Sequence, residues 1–196
     1  TRIESSAASD VYKRQLINTL VPLFAIWISI YFLKDISLWL CIPPAILGGL
    51  FMVRAFIIFH DCGHGSFLKS KRANSIIGFI TGMLTFTPYR QWSWEHARHH
   101  ATNGDLDRRG IGDIWTLTVE EYVSSSRRLQ LSYRFIRNPI ILFVFAPIVL
   151  FVILQRFPNS KAKKKEKQSV YIMNATLAGW CIGMSMIYGF GIWLLM

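Results

Sequence analysis

The chain has 196 residues, 52% of them apolar and 17% charged, with a net charge of +11 at neutral pH. Several uncharged runs approach or exceed the roughly 20 residues that cross a bilayer, which excludes an ordinary soluble domain and points to an integral membrane protein. In such a protein Lys and Arg collect in cytoplasmic loops and at anionic headgroups, so the positive charge is no argument for nucleic acid.

Residues 1–15 are rich in Ser, Ala and charge, lack periodicity and do not begin with Met. They are expected to be disordered or non-native, and residues 16–196 to form one membrane domain that is incomplete at its C-terminal end. Residues 16–33 are uncharged and follow Lys13 and Arg14, which predicts a spanning helix with its basic end in the cytoplasm. Lys34-Asp35 makes a minimal turn. A second uncharged run, 36–53, returns with Trp39 at its outer boundary and with Pro43-Pro44 and Gly48-Gly49 inside it. Gly63 and Gly65 are the expected helix stops.

The run 73–89 is uncharged but short, and Asn74, Thr81, Thr85 and Thr87 weaken it. A full crossing here would separate two histidine clusters described below that must share one side of the membrane to serve one site. A re-entrant or interfacial segment is therefore expected. Gly78-x-x-x-Gly82 within it fits a close-packing face, though in so apolar a stretch chance produces the same pattern. Residues 90–137 are polar and read as a cytoplasmic cap of helices and loops.

The uncharged run 138–155, broken by Pro147, precedes a stretch, 156–167, with six basic residues against one Glu166. A full crossing would put that basic stretch outside, against the positive-inside bias; a hairpin at Pro147 would return it. The crossing is preferred here, on the family analogy given below. The last run, 168–196, is long enough to span. The fold class is thus all-α integral membrane, with about four apolar helices, a re-entrant or interfacial segment and a cytoplasmic helical cap.

All five histidines fall in two clusters, His60-Asp61-Cys62-Gly63-His64 and His96-Ala97-Arg98-His99-His100. On a helix, residues four apart lie about 40° apart and residues three apart about 60°. His60 and His64 would share one face, and His96, His99 and His100 another. Imidazole suits iron, zinc, copper and nickel, so ligand type does not choose the metal. Five histidines overfill a single four-coordinate zinc, and two metals fit the donor count better. Asp61 is placed to accept the second ring N–H of a ligand histidine, or is simply a helix-end carboxylate.

The three cysteines, Cys41, Cys62 and Cys181, form no C-x-x-C pair, and Cys62 reads as a packing residue. Asp105, Asp107 and Asp113 are expected to pair with Arg98, Arg108 and Arg109, and Trp92 and Trp94 to anchor the cap at the interface. The zincin pattern H-E-x-x-H is absent, because Asp61, Cys62 and Gly63 separate the first two histidines.

The run His60-Asp61-Cys62-Gly63-His64-Gly65-Ser66-Phe67, the H-x-x-H-H box at His96 to His100, and Ala101-Thr102-Asn103-Gly104-Asp105-Leu106-Asp107 resemble the membrane fatty acid desaturases. The stretch from Gly110-Ile111-Gly112-Asp113 to Glu120-Glu121-Tyr122 adds to the likeness, which is strongest to bacterial acyl-lipid desaturases. The resemblance implies two iron ions held by His60, His64, His96, His99 and His100, with Asp61 behind them and O2 as co-substrate. It implies a site facing the cytoplasm of a bacterial membrane, acyl chains of membrane lipids as substrate, and a ferredoxin, flavodoxin or cytochrome b5-type electron donor. The family carries a third H-x-x-H-H box near its C-terminal end that is not among these residues, so the isolated piece is expected to be inactive. A related membrane hydroxylase or ketolase would use the same metal. A metal transporter would place its histidines midway across helices rather than at a helix end and in a polar cap.

Overall fold

The computed structural model describes residues 2–109 and 114–191, and among them every regular element is a helix. The chain divides into two compact units, one formed by Thr1–Tyr89 with Tyr171–Met196, the other by Arg90–Val170.

In the first unit, α1 (Arg2–Leu33) carries the first apolar run. After the turn, α2 (Leu38–Gly63) starts at Ser37, whose hydroxyl accepts the Trp39 N–H at 3.3 Å. Pro43 and Pro44 lie inside α2 without ending it. The two helices bury Leu23 and Trp27 against Phe51 and Met52, and Ile26 and Ile30 against Cys41 and Ala45. Outside these seams, residues such as Val21, Phe32, Leu50 and Val53 are exposed, as suits helices whose outer surface meets lipid rather than water.

Among the described residues, three helices are long and apolar enough to cross a membrane, Asp10–Leu33, Leu38–Gly63 and Lys164–Tyr188. A fourth span results only if Arg127–Ile136 and Ile141–Arg156, bent by 60°, count as one. The last of the three is α7 in the numbering used here.

Between them, α3 (Lys71–Leu84) has 14 residues. At 1.5 Å per residue it is about 21 Å long, short of the roughly 30 Å hydrocarbon core. This is the short element expected for 73–89. The Gly78-x-x-x-Gly82 pattern has a packing function: a Cβ on Gly78 would overlap the Tyr89 ring, and one on Gly82 would lie 2.6 Å from the Thr87 carbonyl oxygen. The chain reverses tightly behind α3, with Phe86 in the left-handed region at φ +56° and the Thr87 N–H bonded back to the Gly82 carbonyl at 2.6 Å.

The second unit contains most of α4 (Tyr89–Thr102), then α5 (Val119–Ser124) and α6 (Arg127–Ile136). Helix α5 opens with a capping box in which Thr118 and Glu121 satisfy each other's backbone N–H groups. The run after α6 does not turn at Pro147. It continues as a π-helical rod, Ile141–Phe145 and Ile148–Ile153, that tightens into a 3₁₀ turn at Leu154–Arg156. Proline has no N–H to give and its ring displaces the carbonyl four residues back, so a wider hydrogen-bond register is a natural response. The Ala146 N–H accordingly reaches the Ile141 carbonyl, five residues back.

Candidate metal centre

The first histidine cluster is built by a helix ending. His60 occupies the last turn of α2, and His64 is its C-cap at φ −74°, ψ −12°. The Gly65 N–H bonds the Cys62 carbonyl at 2.9 Å, and the Ser66 N–H bonds the Asp61 carbonyl at 3.0 Å. This is the Schellman arrangement, which needs a left-handed residue after the cap; Gly65, at φ +70°, supplies it. Gly65 rather than Gly63 therefore stops the helix.

The imidazoles of His60 and His64 lie edge to face, with centroids 4.6 Å apart, and the ring nitrogens that they offer lie within 4.8 Å of each other. The Asp61 carboxylate lies 3.1 Å from His60 Nδ1. An N–H at Nδ1 would donate to it and leave Nε2 as the ligand atom. Cys62 points the other way, fully buried with Ile58 and Phe67, so it packs rather than coordinates. Its carbonyl accepts the Tyr89 hydroxyl at 2.6 Å, and Tyr89 fits there because Gly78 has no side chain. The loop after the cluster is held by buried Asn74, which accepts the Leu68 N–H at 2.8 Å and donates to the carbonyls of Leu68 and Gly65 at 2.6 and 3.2 Å.

The second cluster lies along α4. His96 and His100 face each other across one turn, with Nε2 to Nε2 3.0 Å and ring centroids 4.5 Å apart. His99 sits beside them, 6.0 Å from His96 and 5.6 Å from His100 between centroids. The 3.0 Å separation of the two Nε2 atoms matches the roughly 3 Å between neighbouring ligands of an ion bound through ~2.1 Å metal–nitrogen bonds at right angles. A set of imidazoles held this way fits a transition-metal ion, iron among those that imidazole suits.

Trp92, expected as an interfacial anchor, stacks on His96 at 4.3 Å and 19°, which restricts the imidazole plane. Trp94 lies instead under the Arg98 guanidinium, 5.1 Å away.

Polar residues that the sequence did not single out hold α4 in place. Gln91 is 2% exposed. Its N–H donates to Ser169 Oγ at 3.2 Å, its side-chain amide donates to the Phe157 carbonyl at 3.3 Å, and its side-chain carbonyl accepts the Asn159 N–H at 2.8 Å. The Asn159 side chain donates to Glu95 at 2.9 Å. Burial pushes the Glu95 carboxyl above its usual value and the Asn159 amide partly offsets that. Partners 64 to 78 residues away left no local signal.

The acidic residues after α4 stabilise loops, though not with all the expected partners. Asp105 pairs with Arg108 at 2.6 Å and caps the Asp107 N–H. Arg109 pairs with Glu121, not with an aspartate, and also donates to the Thr116 carbonyl at 2.8 Å. The Arg109 guanidinium, with the Thr118 N–H, holds the Glu121 carboxyl down at about 2. Asp113 lies outside the described residues.

Residues 37–196 match the family described as fatty acid desaturase. The chain is 45% identical to the Bacillus subtilis protein named fatty acid desaturase over 181 residues, 92% of this chain and 51% of that one. It is 29% identical over 140 residues to the Synechocystis sn-1 oleoyl-lipid 12-desaturase, covering 71% of this chain and 38% of the relative. It is also 35% identical over 96 residues to the Synechocystis sn-1 acyl-lipid omega-3 desaturase (ferredoxin), 47% of this chain and 26% of the relative. The chain thus spans about half the length, or less, of these relatives. No solved structure matches it.

Proposed function

The chain belongs to the fatty acid desaturase family, and from that premise we propose that it contributes two histidine boxes to an O2-dependent acyl-lipid desaturase with two irons. In this reading His60 and His64 in the first unit and His96, His99 and His100 in the second are iron ligands. The observation that carries it is the pairing of ring nitrogens across one helical turn in each box, His96 and His100 at 3.0 Å and His60 and His64 within 4.8 Å, inside the stretch that matches the family.

Iron held there would supply the oxidising power to remove two hydrogens from adjacent methylenes of an acyl chain, with O2 and two donor electrons completing the balance. The chain's own residues prepare the ligands. Asp61 would accept a hydrogen bond from an N–H at His60 Nδ1 and so leave Nε2 for the metal. The Trp92 ring limits rotation of His96. The Gln91 network fixes the helix on which His96, His99 and His100 stand.

The substrate is a lipid acyl chain and the product a cis double bond, with ferredoxin, flavodoxin or a cytochrome b5-type protein as donor; one relative carries ferredoxin in its name. The site faces the cytoplasm of a bacterial membrane. The activity is proposed for the full-length protein, since this chain covers 51% of the Bacillus subtilis relative. Alanine at each of the five histidines in the full-length protein, expressed in a host that lacks its own desaturase, should abolish the unsaturated product seen by gas chromatography. Retained unsaturation in these variants would sink the ligand assignment, and a hydroxylated or keto product from the unaltered protein would move the reaction to the related hydroxylases or ketolases.

A further inference from the structure

We infer that the apolar rod Ile141–Arg156 lies along one leaflet with both of its ends on the side of helix α4, so that the lysines at 161–167 lie against anionic headgroups on that same side. The observations all lie within the unit Arg90–Val170.

From the end of α4 to Arg137 the sequence has no apolar run long enough to cross a bilayer. It carries Asp105, Asp107, Arg108, Arg109, Asp113, Glu120 and Glu121, followed by Arg127, Arg128 and Arg134. The chain therefore reaches Arg137 on the side of α4. Beyond the rod, the Phe157 carbonyl and the Asn159 N–H bond to Gln91, and the Asn159 side chain bonds to Glu95. Gln91 and Glu95 are both on α4. The run thus begins and ends on one side.

Its length agrees. Ile141–Arg156, even at the α-helical rise, reaches only about 24 Å, and the wider π turns shorten it, against roughly 30 Å of hydrocarbon. The 60° bend from α6 suits a rod that dips rather than crosses. The full crossing preferred from sequence analogy does not fit these bonds, nor does a hairpin at Pro147, because the rod is continuous there.

The surface is suited to a lipid partner. Phe143, Phe145 and Phe157 are 76%, 53% and 65% exposed. Lys161, Lys163, Lys164 and Lys165 are exposed at the boundary where the apolar helix Lys164–Tyr188 begins. Exposed aromatics beside a lysine run, joined to a membrane helix, match the phosphate level of an anionic leaflet. Continuity with the apolar helix favours lipid over a soluble acidic protein.

The test uses the full-length protein, with single cysteines at Asn103 and Lys164 in a background where Cys41, Cys62 and Cys181 are replaced, labelled in sealed vesicles by a membrane-impermeant maleimide. Both positions should label from the same side, and a cysteine at Val149 from neither. Labelling of Asn103→Cys and Lys164→Cys from opposite sides would overturn the one-sided path. In nanodiscs of mixed phosphatidylcholine and phosphatidylglycerol, the Lys163, Lys164, Lys165 triple Gln variant should retain phosphatidylglycerol on the order of fivefold less well. Unchanged retention, with or without weaker binding of ferredoxin, would overturn the lipid assignment and, if ferredoxin binding falls, give the surface to an acidic protein.

Discussion

The two histidine clusters are held by different means. In the first, backbone geometry does most of the positioning: the Gly65 turn places His64 and its neighbours, and the surrounding contacts are apolar. In the second, the histidines stand inside a polar helix, and side chains position them, Gln91 and Asn159 through hydrogen bonds and Trp92 by stacking. The difference teaches that one donor type can be presented by a helix end in a membrane-spanning segment or by a polar network outside it. Their sensitivities should differ accordingly, the first to changes of volume and backbone conformation, the second to loss of hydrogen bonds.

The largest expected effect is in the polar network. Gln91→Leu keeps the volume but leaves the Phe157 carbonyl and the Asn159 N–H without their partner, which should destabilise the full-length protein by roughly 2–4 kcal/mol. Thermal unfolding in detergent measures it, and a neutral result would deny the network its positioning role. In the first unit, Gly82→Ala sets a methyl against the Thr87 carbonyl oxygen and the Phe59 ring, and overpacking of this kind costs about 1–3 kcal/mol. Gly65→Ala meets nothing within 4 Å, so its effect isolates backbone conformation, at about 1–2 kcal/mol. If Gly65→Ala leaves stability and iron content unchanged, the helix ending does not depend on that turn.

The smallest effect depends on pH. Glu121, held at about 2 against an ordinary 4.5 by Arg109, has a lowered folded-state pKa. Its contribution is complete above 4.5 and is lost as pH falls from there through about 2. Glu121→Gln should lower stability slightly at neutral pH, where that contribution is complete, and flatten the acid limb, so that variant and unaltered protein converge as pH falls towards 2.

Much of the fold was legible because the signals are local. Uncharged length located α2 and α7, the weakness of 73–89 anticipated the short α3, and four-residue spacing paired His60 with His64 and His96 with His100. The pairing of Arg109 departed from expectation, because it binds Glu121 twelve residues away. A run read in isolation carried no mark of what contacts it.

The sequence by itself determined the helical class, the apolar spans and the two sets of histidines, because hydrophobic length and helical period are properties of neighbours in the chain. Only the tertiary structure decided that Gly78 makes room for Tyr89, that Gln91 binds Ser169 across 78 residues, and that the rod beyond α6 returns to α4. Those choices rest on hydrogen bonds and close packing between distant segments, and they exist only once the chain has brought those segments together.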